Sequence, residues 1–297
     1  MQPSLTLALT LPITLTVLFG ALLHASWNAL IKSSSDKQLD TALIHVLGCV
    51  IGLPLVLIVG LPPTASMPYL AASIVLHIGY YIALSGAYKH GDLGLTYPIM
   101  RGSAPLLVAV ASGIFIGETL SLAAWLGVLA VSGGVLLVGL SRAAFANSGH
   151  RQAMLFAFSN AVIIATYTVV DGLGVRVAVV SGGSALQYVS ALFLLDGIPY
   201  FFYVMSQRQG EHRVHALAYM RGRWPVALLG TVASLGSYGI ALWAMTLAPV
   251  ATVAALREVS VLFAALLGAV ILKEAFGLQR GIGTLLIVGG VAALRLA

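Results

Sequence analysis

Two arginines and one glutamate stand in long apolar stretches of the chain. They are Arg101, Arg257 and Glu258, and Tyr97, four residues before Arg101, shares its helix face. A charge at the centre of a bilayer costs about 3 kcal/mol or more unless it is paired or hydrated, so such residues mark ligand or ion pathways. Guanidinium groups bind carboxylates. The residues therefore predict recognition of a small charged solute.

A structural interpretation stays open for both arginines. Arg101 lies near enough to its helix start for the side chain to reach the interface, and Arg257 could pair with a neighbouring carboxylate. Glu258 follows Arg257 directly, and consecutive side chains on a helix point about 100° apart. The two neighbours therefore cannot neutralise each other on one face, and one of them must point elsewhere.

Several residues within apolar spans could bind a proton. The buried carboxylate candidates are Asp171, Asp196 and Glu258, and His24 and His77 titrate near neutral pH. Of these, Asp171, Glu258 and His24 are the candidates for coupling transport to protons. Each could equally be a buried residue satisfied by ordinary hydrogen bonds.

Polar and aromatic residues recur at helical spacing in several spans. They are Gly20, His24, Trp27 and Asn28 in the first span; His77, Tyr80, Tyr81, Leu84 and Tyr88 in the third; Asn160, Tyr167 and Asp171 in the sixth; and Ser234, Ser237 and Tyr238 in the eighth. Steps of three and four residues put each set on one face. Water reaches such a face in a membrane only through an internal cavity, which these stripes predict. Interhelical hydrogen bonds are the alternative.

Signatures of enzymes, metal sites and nucleic-acid binding are missing from the sequence. It has no P-loop, no HExxH and no Gly-x-Ser-x-Gly, and Gly281-Ile-Gly283 lacks the third glycine of a dinucleotide fingerprint. The His, Cys and Asp residues show no metal-ligand spacing, so no metal or cofactor is predicted. The net charge of +6 comes from basic residues that stand singly between apolar spans. That pattern is typical of membrane proteins rather than of nucleic-acid binding.

The composition predicts the elements that position these residues. Of 297 residues, 60% are hydrophobic and 8% charged, and the mean hydropathy is +1.01. Apolar runs of about 20 residues are the length of a membrane-spanning helix. We predict an all-α polytopic membrane protein with ten transmembrane helices, over residues 5–31, 39–61, 67–88, 93–116, 121–140, 152–172, 183–205, 223–245, 249–272 and 277–295. The first is expected to be a retained span rather than a signal peptide.

The chain repeats itself at an offset of 156 residues. This offset carries Arg101 onto Arg257, Glu118 onto Glu274 and Gly127 onto Gly283, and no gap is needed. We predict two five-helix repeats, residues 1–142 and 151–297. Because five is odd, the second repeat enters the membrane from the opposite side, and the two are inverted, as in many secondary transporters.

The positive charges predict an orientation. Lys and Arg cluster on one side, at Lys32, Lys37, Lys89, Arg142, Arg151, Arg208, Arg213, Arg221, Arg223, Lys273 and Arg280, while the other side has Arg176 and Arg295. The positive-inside rule places the first group in the cytoplasm and both termini outside.

Several other residues are expected to serve structure. We expect Glu118 and Glu274 to favour the amino end of the helix that follows each of them. Pro98, Pro105, Pro199 and Pro249 are expected to interrupt or bound spans. The glycine pairs 133–134 and 289–290 are expected to let helices pack closely.

The sequence resembles the drug/metabolite transporter superfamily of EamA type. The resemblance lies in HASWNALIK of the first span, the paired segments GIFIGETLSLAAWLGVLAVSGGVLLVG and GAVILKEAFGLQRGIGTLLIVGGVAAL, and ATYTVVDGLGVR of the sixth span. It is most similar to bacterial YddG-type amino-acid exporters. In one departure, Arg257-Glu258 stands where the first repeat has Arg101-Gly102, so the sites of the two halves are not equivalent.

The resemblance implies alternating access through a central cavity formed by spans one to four and six to nine. Carried onto this chain, the cavity lining is His24, Trp27, His77, Tyr80, Tyr81, Tyr97, Arg101, Tyr167, Tyr238, Arg257 and Glu258. The implied function is export of amino acids, aromatic or apolar ones, across the bacterial inner membrane by a monomer or homodimer. A carrier of other metabolites or drugs, and a membrane enzyme or scaffold, are the alternatives.

Overall fold

The computed structural model describes residues 9–90, 93–140, 150–271 and 277–297. The predictions for Arg142, Lys273 and Glu274, and for the side chains of Tyr88 and Lys89, fall outside this description. Within those ranges the chain is helical, apart from turns and one 3₁₀ turn at Thr64–Ser66, and contains no strand. The all-α prediction is confirmed.

Eleven helices follow one another in the described residues. They are α1 Leu11–Lys32, α2 Lys37–Val59, α3 Met67–His90, α4 Leu93–Phe115, α5 Leu122–Gly139, α6 His150–Val180, α7 Ala185–Ser206, α8 Glu211–Met245, α9 Val250–Arg257, α10 Val259–Ile271 and α11 Leu278–Leu296. In this part of the chain, 9 helical stretches are long and apolar enough to cross a membrane. The multi-pass prediction is confirmed, and α11, 19 residues long and containing Arg280 and Arg295, corresponds to the predicted tenth span.

Capping residues set several helix ends. The Asp36 carboxylate accepts the Leu39 N–H at 3.0 Å and begins α2, and the Ser121 hydroxyl accepts the Ala124 N–H at 3.1 Å and begins α5. Such caps satisfy backbone donors that have no partner inside the helix. Gly60 ends α2 with a φ of 84°, a conformation that residues with a side chain rarely adopt.

The structure corrects three of the predicted boundaries. α6 has 31 residues, not the 21 of span 152–172. The segment between the predicted spans 183–205 and 223–245 is helical from Glu211 onward and forms the start of α8. Its polar residues are compatible with a helix because Tyr219 and Arg223 bind Asp40 of α2.

The third correction concerns the ninth span, which is broken at Glu258 instead of continuous. The Glu258 N–H bonds Ala255 O at 3.1 Å, an i→i−3 bond that tightens the turn and separates α9 from α10. The prolines expected to interrupt spans do not mark this break. Pro98 and Pro105 lie inside α4 and Pro199 lies inside α7, whereas Pro249 is the N-cap of α9.

The helices pack in pairs. α5 lies against α11, α2 against α7, α3 against α6, and α1 against α8. Valines and alanines fill the interior, where Val128, Val250 and Ile287 are fully buried, whereas Leu57 and Ile58 are 77% and 79% exposed. Exposed apolar side chains of this kind suit lipid as the surrounding solvent.

Two of the four paired glycines allow close packing. Gly134 and Gly290 meet the backbone of α11 and α5 respectively, whereas a side chain at Gly133 or Gly289 would meet nothing within 4 Å. The packing prediction therefore holds for one glycine of each pair.

Candidate functional site

The break in the ninth span presents two charged residues to the interior. Arg257 is the last residue of α9 and Glu258 joins it to α10. Their side chains are almost completely buried, with relative exposures of 8% and 4%. They point to different partners, since Glu258 contacts α4 and Arg257 contacts α8.

Arg101 connects this break to α1. Its Nε lies 2.8 Å from Glu258 Oε2, an ion pair rather than an aligned hydrogen bond. Its Nη2 lies 3.1 Å from His24 Nε2 and donates to Ser260 Oγ at 3.4 Å. A guanidinium can only donate, so the His24 nitrogen that faces it must be the acceptor of a neutral ring. Arg101 therefore brings α1, α4 and α10 together.

Arg257 has no carboxylate partner among the described residues. Its guanidinium carbon lies 5.0 Å from the centroid of the Tyr238 ring, within cation–π range. Its Nε is buried and has no hydrogen-bond partner. A buried guanidinium without an anionic partner can donate hydrogen bonds to an anionic group of a ligand.

Asp171 lies beneath the same tyrosine. Tyr238 Oη donates a hydrogen bond to Asp171 Oδ2, and Tyr188 Oη donates to Oδ1 at 2.9 Å. Asp171 is fully buried. Tyr238 thus joins the carboxylate, through its hydroxyl, to the Arg257 guanidinium, which lies over its ring.

Aromatic rings surround the charged residues. The His77 ring stacks on Tyr167 with 4.5 Å between centroids, and Tyr80 and Tyr238 lie edge-on to Tyr167 at 6.0 Å and 6.5 Å. His77 Nδ1 lies 2.9 Å from Ser73 O, which fixes the ring. Three helices, α3, α6 and α8, contribute these rings, which can pack against an apolar or aromatic ligand.

The space between these groups is a cavity of about 10 Å³, room for about one water molecule. Its lining is Arg101, Ala104, Pro105, Val108, Ile164, Tyr167, Thr168, Ala254, Arg257 and Glu258. The predicted stripes do converge in the interior. However, they fill the space with one another, through the stacked rings and the Arg101–Glu258 ion pair, so the site is closed in this structure.

Seven of the eleven predicted lining residues are outside the cavity lining: His24, Trp27, His77, Tyr80, Tyr81, Tyr97 and Tyr238. Of these, His24, His77, Tyr80 and Tyr238 each contact a lining residue. Tyr97 is one helical turn before Arg101, and the Trp27 ring lies edge-on to His24 with 5.1 Å between centroids. Tyr81 points away from the arginines and donates to Asp196 Oδ2 at 3.0 Å. The two adjacent tyrosines of α3 therefore belong to different clusters. Tyr80 packs against Tyr167 at the cavity, and Tyr81 binds Asp196.

His45 is a residue that sequence reasoning did not single out. It lies on α2 with Nε2 4.0 Å from Asp196 Oδ2, and its ring is edge-on to Tyr81. No stripe of polar residues surrounds it in the sequence, so spacing gave no indication. A lone ionisable residue in an apolar span was the available signal.

Glu118 stabilises one end of the bundle, but not through the helix expected. It accepts the Val250 N–H at 3.0 Å on each oxygen and pairs with Arg176 Nη2 at 2.7 Å. The amino end that it caps is therefore that of α9, in the other half of the chain. The following helix, α5, is capped by Ser121, which leaves the glutamate free to reach α9.

The opposite end of the bundle has its own ion pairs. Arg208 Nη2 lies 2.9 Å from Asp36 Oδ2, and Arg223 Nε lies 3.1 Å from Asp40 Oδ2. Tyr219 Oη also donates to Asp40, at 2.9 Å. These contacts tie α2 to the end of α7 and the start of α8. Both ends of the bundle are thus fastened around the small cavity.

Fold and site together define a multi-pass helical membrane protein with a buried, charged and aromatic-walled centre. The profile of the EamA-like transporter family matches residues 151–296. The second half of the chain therefore carries an EamA-like transporter domain, as α6 to α11. That half of the chain is thus similar to membrane transporters of the drug/metabolite type, and the match reaches no particular subgroup.

Solved structures share the fold of this chain. In all, 29 chains match. One of them, described as the crystal structure of a protein, is 20% identical and covers 96% of this chain and 98% of its own, with a TM-score of 0.74. No curated protein matches the sequence. At this identity the structural likeness concerns the fold alone.

Proposed function

We propose that the protein is a secondary carrier that exports amino acids with aromatic or apolar side chains, as YddG-type exporters do. The observation that carries this proposal is the charge balance of the cavity lining. It contains two guanidiniums and one carboxylate, and Glu258 is paired with Arg101. Arg257 has no carboxylate partner among the described residues, and the carboxylate of a substrate would form an ion pair with it.

The remaining parts of an amino acid also have candidate partners. An α-amino group would compete with Arg101 for the Glu258 carboxylate, since both are cations at neutral pH. The rings of His77, Tyr80, Tyr167 and Tyr238 would pack against the substrate side chain. The closed cavity has a volume of about 10 Å³, which is too small for any amino acid. Binding therefore requires these rings and the Arg101–Glu258 pair to move apart.

Alternating access between two inverted halves, residues 1–142 and 151–297, would supply that movement. The pairing of α1 with α8 and of α3 with α6 supports this arrangement, because α1 and α6 are each the first helix of their half and α3 and α8 are each the third. The ion pairs at either end of the bundle are then the contacts that open in turn. The basic residues favour the Asp40 end as the cytoplasmic one, in a bacterial inner membrane.

Counterflow in proteoliposomes tests the proposal. Vesicles loaded with unlabelled phenylalanine should take up labelled phenylalanine, and R257Q should reduce the initial rate by about tenfold or more. R295Q removes an exposed arginine from α11 and is the matched control, expected to behave as the wild type. Absence of counterflow for every apolar and aromatic amino acid would overturn the proposal.

A carrier of other small metabolites is the second candidate, because a free guanidinium favours any organic anion. Competition with two analogues separates the candidates: phenylpropionate, which lacks the amine, and phenethylamine, which lacks the carboxylate. An amino-acid carrier should be inhibited weakly by both. Strong inhibition by phenylpropionate, unchanged in E258Q, would favour the general organic-anion carrier.

A further inference from the structure

A second cluster of ionisable residues lies between α2, α3 and α7, outside the cavity. His45 Nε2 is 4.0 Å from Asp196 Oδ2, and the two side chains are only 13% and 12% exposed. Tyr81 Oη donates to the same oxygen at 3.0 Å. The other oxygen, Asp196 Oδ1, is buried without a hydrogen-bond partner.

The hydrogen bonds of the cluster leave one place for a proton. His45 Nδ1 lies 2.7 Å from Thr41 O, and a carbonyl only accepts, so Nδ1 carries the hydrogen. In a neutral ring Nε2 is then a bare acceptor, and it faces a carboxylate oxygen. Two acceptors facing each other repel, whereas one proton placed between them makes the contact attractive.

We propose that His45 and Asp196 together bind one exchangeable proton, which couples the carrier to a proton gradient. This inference rests on the proposed transport function. The proton belongs to the pair rather than to either residue, because His45 Nε2 and Asp196 Oδ2 face each other. Binding adds one proton to Nε2 or to the carboxylate, release returns it to water, and no other bond changes.

The coupling candidates named from the sequence are occupied by other contacts. His24 accepts from Arg101, so it must stay neutral while that contact stands. Glu258 is paired with the same arginine. Asp171 accepts hydroxyl hydrogens on both oxygens, which satisfies a carboxylate without a proton. His45 and Asp196 differ because their facing atoms are two acceptors.

The position of the pair links it to moving parts of the bundle. α2 and α7 touch here, since a Cβ on Gly197 would lie 2.1 Å from His45 O. From α3, Tyr81 binds Asp196, and its neighbour Tyr80 packs against Tyr167 of the cavity lining. Proton binding at the pair would therefore act on the substrate site through α3, which carries both Tyr81 and Tyr80.

Other titratable groups surround the pair. From α7, the Tyr200 ring stacks on Tyr81 with 4.1 Å between centroids. On α2, Cys49 Sγ lies 3.5 Å from His45 O. His77 of α3 is fixed on Ser73, and Arg223 of α8 is held by Asp40.

The experiment compares two transport modes of the full chain in liposomes, with labelled phenylalanine and leucine as probes. Counterflow needs no proton movement, whereas accumulation under an imposed pH gradient does. D196N and H45Q should lose about tenfold or more of the accumulation and keep counterflow within about twofold of the wild type. Y200F, which keeps the stacked ring and leaves both partners of the pair intact, should behave as the wild type.

The outcomes separate this inference from the proposed function. Wild-type counterflow without accumulation under either pH gradient overturns the inference and leaves the carrier standing. Accumulation by D196N and H45Q at the wild-type level also overturns it. Absence of counterflow in the wild type removes the carrier proposal and the inference together.

A third variant keeps the test open if both polar variants fail to fold. Y81F removes a hydrogen-bond donor from Asp196 and leaves both ionisable groups in place. The pH at which accumulation is half-maximal should then shift relative to the wild type. An unshifted pH profile in folded Y81F would overturn the inference.

Discussion

Gly134 of α5 and Gly283 of α11 lie backbone against backbone. A Cβ added to Gly134 would be 2.6 Å from the Gly283 carbonyl oxygen, and one added to Gly283 would be 2.8 Å from that of Gly134. Gly127 and Gly290 meet in the same reciprocal way, at 3.0 Å and 2.8 Å. These distances leave no room for any side chain at the four positions.

The reciprocity carries information about symmetry. The offset of 156 residues makes Gly283 the counterpart of Gly127, and Gly290 the counterpart of Gly134. Each contact therefore joins one residue of the pair to the counterpart of the other, which is the pattern of a two-fold interface. The order of the contacts runs in opposite directions along the two helices, as inverted halves would require.

Enlarging Gly134 should destabilise this interface. G134V must push α5 and α11 apart, because overpacking of a well-packed contact costs about 1–3 kcal/mol. The melting temperature of the purified protein in detergent measures the effect. G133V, one residue away with nothing within 4 Å of the new side chain, is the control, and an equal loss in both variants would contradict the close-contact account.

Removing the Glu118 carboxylate should destabilise the end of the bundle at which Glu118 caps α9. E118A leaves Arg176 without its anion and the first N–H of α9 without its acceptor. Breaking a buried pair by removing one partner costs about 3 kcal/mol or more. The unfolding midpoint in detergent should fall accordingly.

A double substitution tests this contact further in the same measurement. E118Q/R176M removes both charges and retains a side-chain oxygen for Val250, so it should recover part of the stability lost in E118A. A double variant as unstable as E118A would show that neither the retained cap nor the removal of the unpaired Arg176 charge restores stability. S121A, which removes the separate cap of α5, should act independently of both.

The apolar runs were enough to predict most of the helices, because such a run is a property of residues close in sequence. The break at Glu258 was not predictable in the same way. It has no proline or glycine, and at the equivalent position of α4 the continuous helix packs Gly102 against Leu136 of α5. An i→i−3 turn stabilised by a distant arginine depends on tertiary contact, which spacing does not encode.

The structure places part of the predicted site at the cavity, whereas the contacts that connect the site to other helices were not predicted. Spacing placed Arg101, Tyr167 and Arg257 on interior faces, and the structure brings them to one cavity. That Glu118 reaches α9, and that Tyr81 binds Asp196 while its neighbour Tyr80 faces the cavity, are contacts between helices distant in sequence. A helix face can be read locally, but its partner helix cannot.

Tyr238 has two separable roles, which two substitutions distinguish. Y238F keeps the ring beneath Arg257 and removes the hydroxyl bound to Asp171, whereas Y238L removes both. A cation–π contact is worth about 0.5–2 kcal/mol, so Y238L should raise the KM for phenylalanine by about 2- to 30-fold relative to Y238F. Equal KM values in the two variants would show that the ring does not position Arg257.

The ion pairs of Asp40 should control opening at their end of the bundle. D40N weakens the contacts to Arg223 and Tyr219, and because Arg223 is partly exposed the loss is about 1 kcal/mol, or about fivefold in the population of the open state.

A single thiol in the cavity lining can measure this opening. Cys49 is the single cysteine, so C49S/T168C places one thiol in the cavity lining. Its labelling rate by a membrane-impermeant thiosulfonate, applied from the Asp40 side, should rise about fivefold with D40N. R213Q, which removes an exposed charge from the same helix as Arg223, is expected to leave the rate unchanged. Equal labelling in all three backgrounds would mean that the closed state is held by the packed rings around Tyr167 and not by these ion pairs.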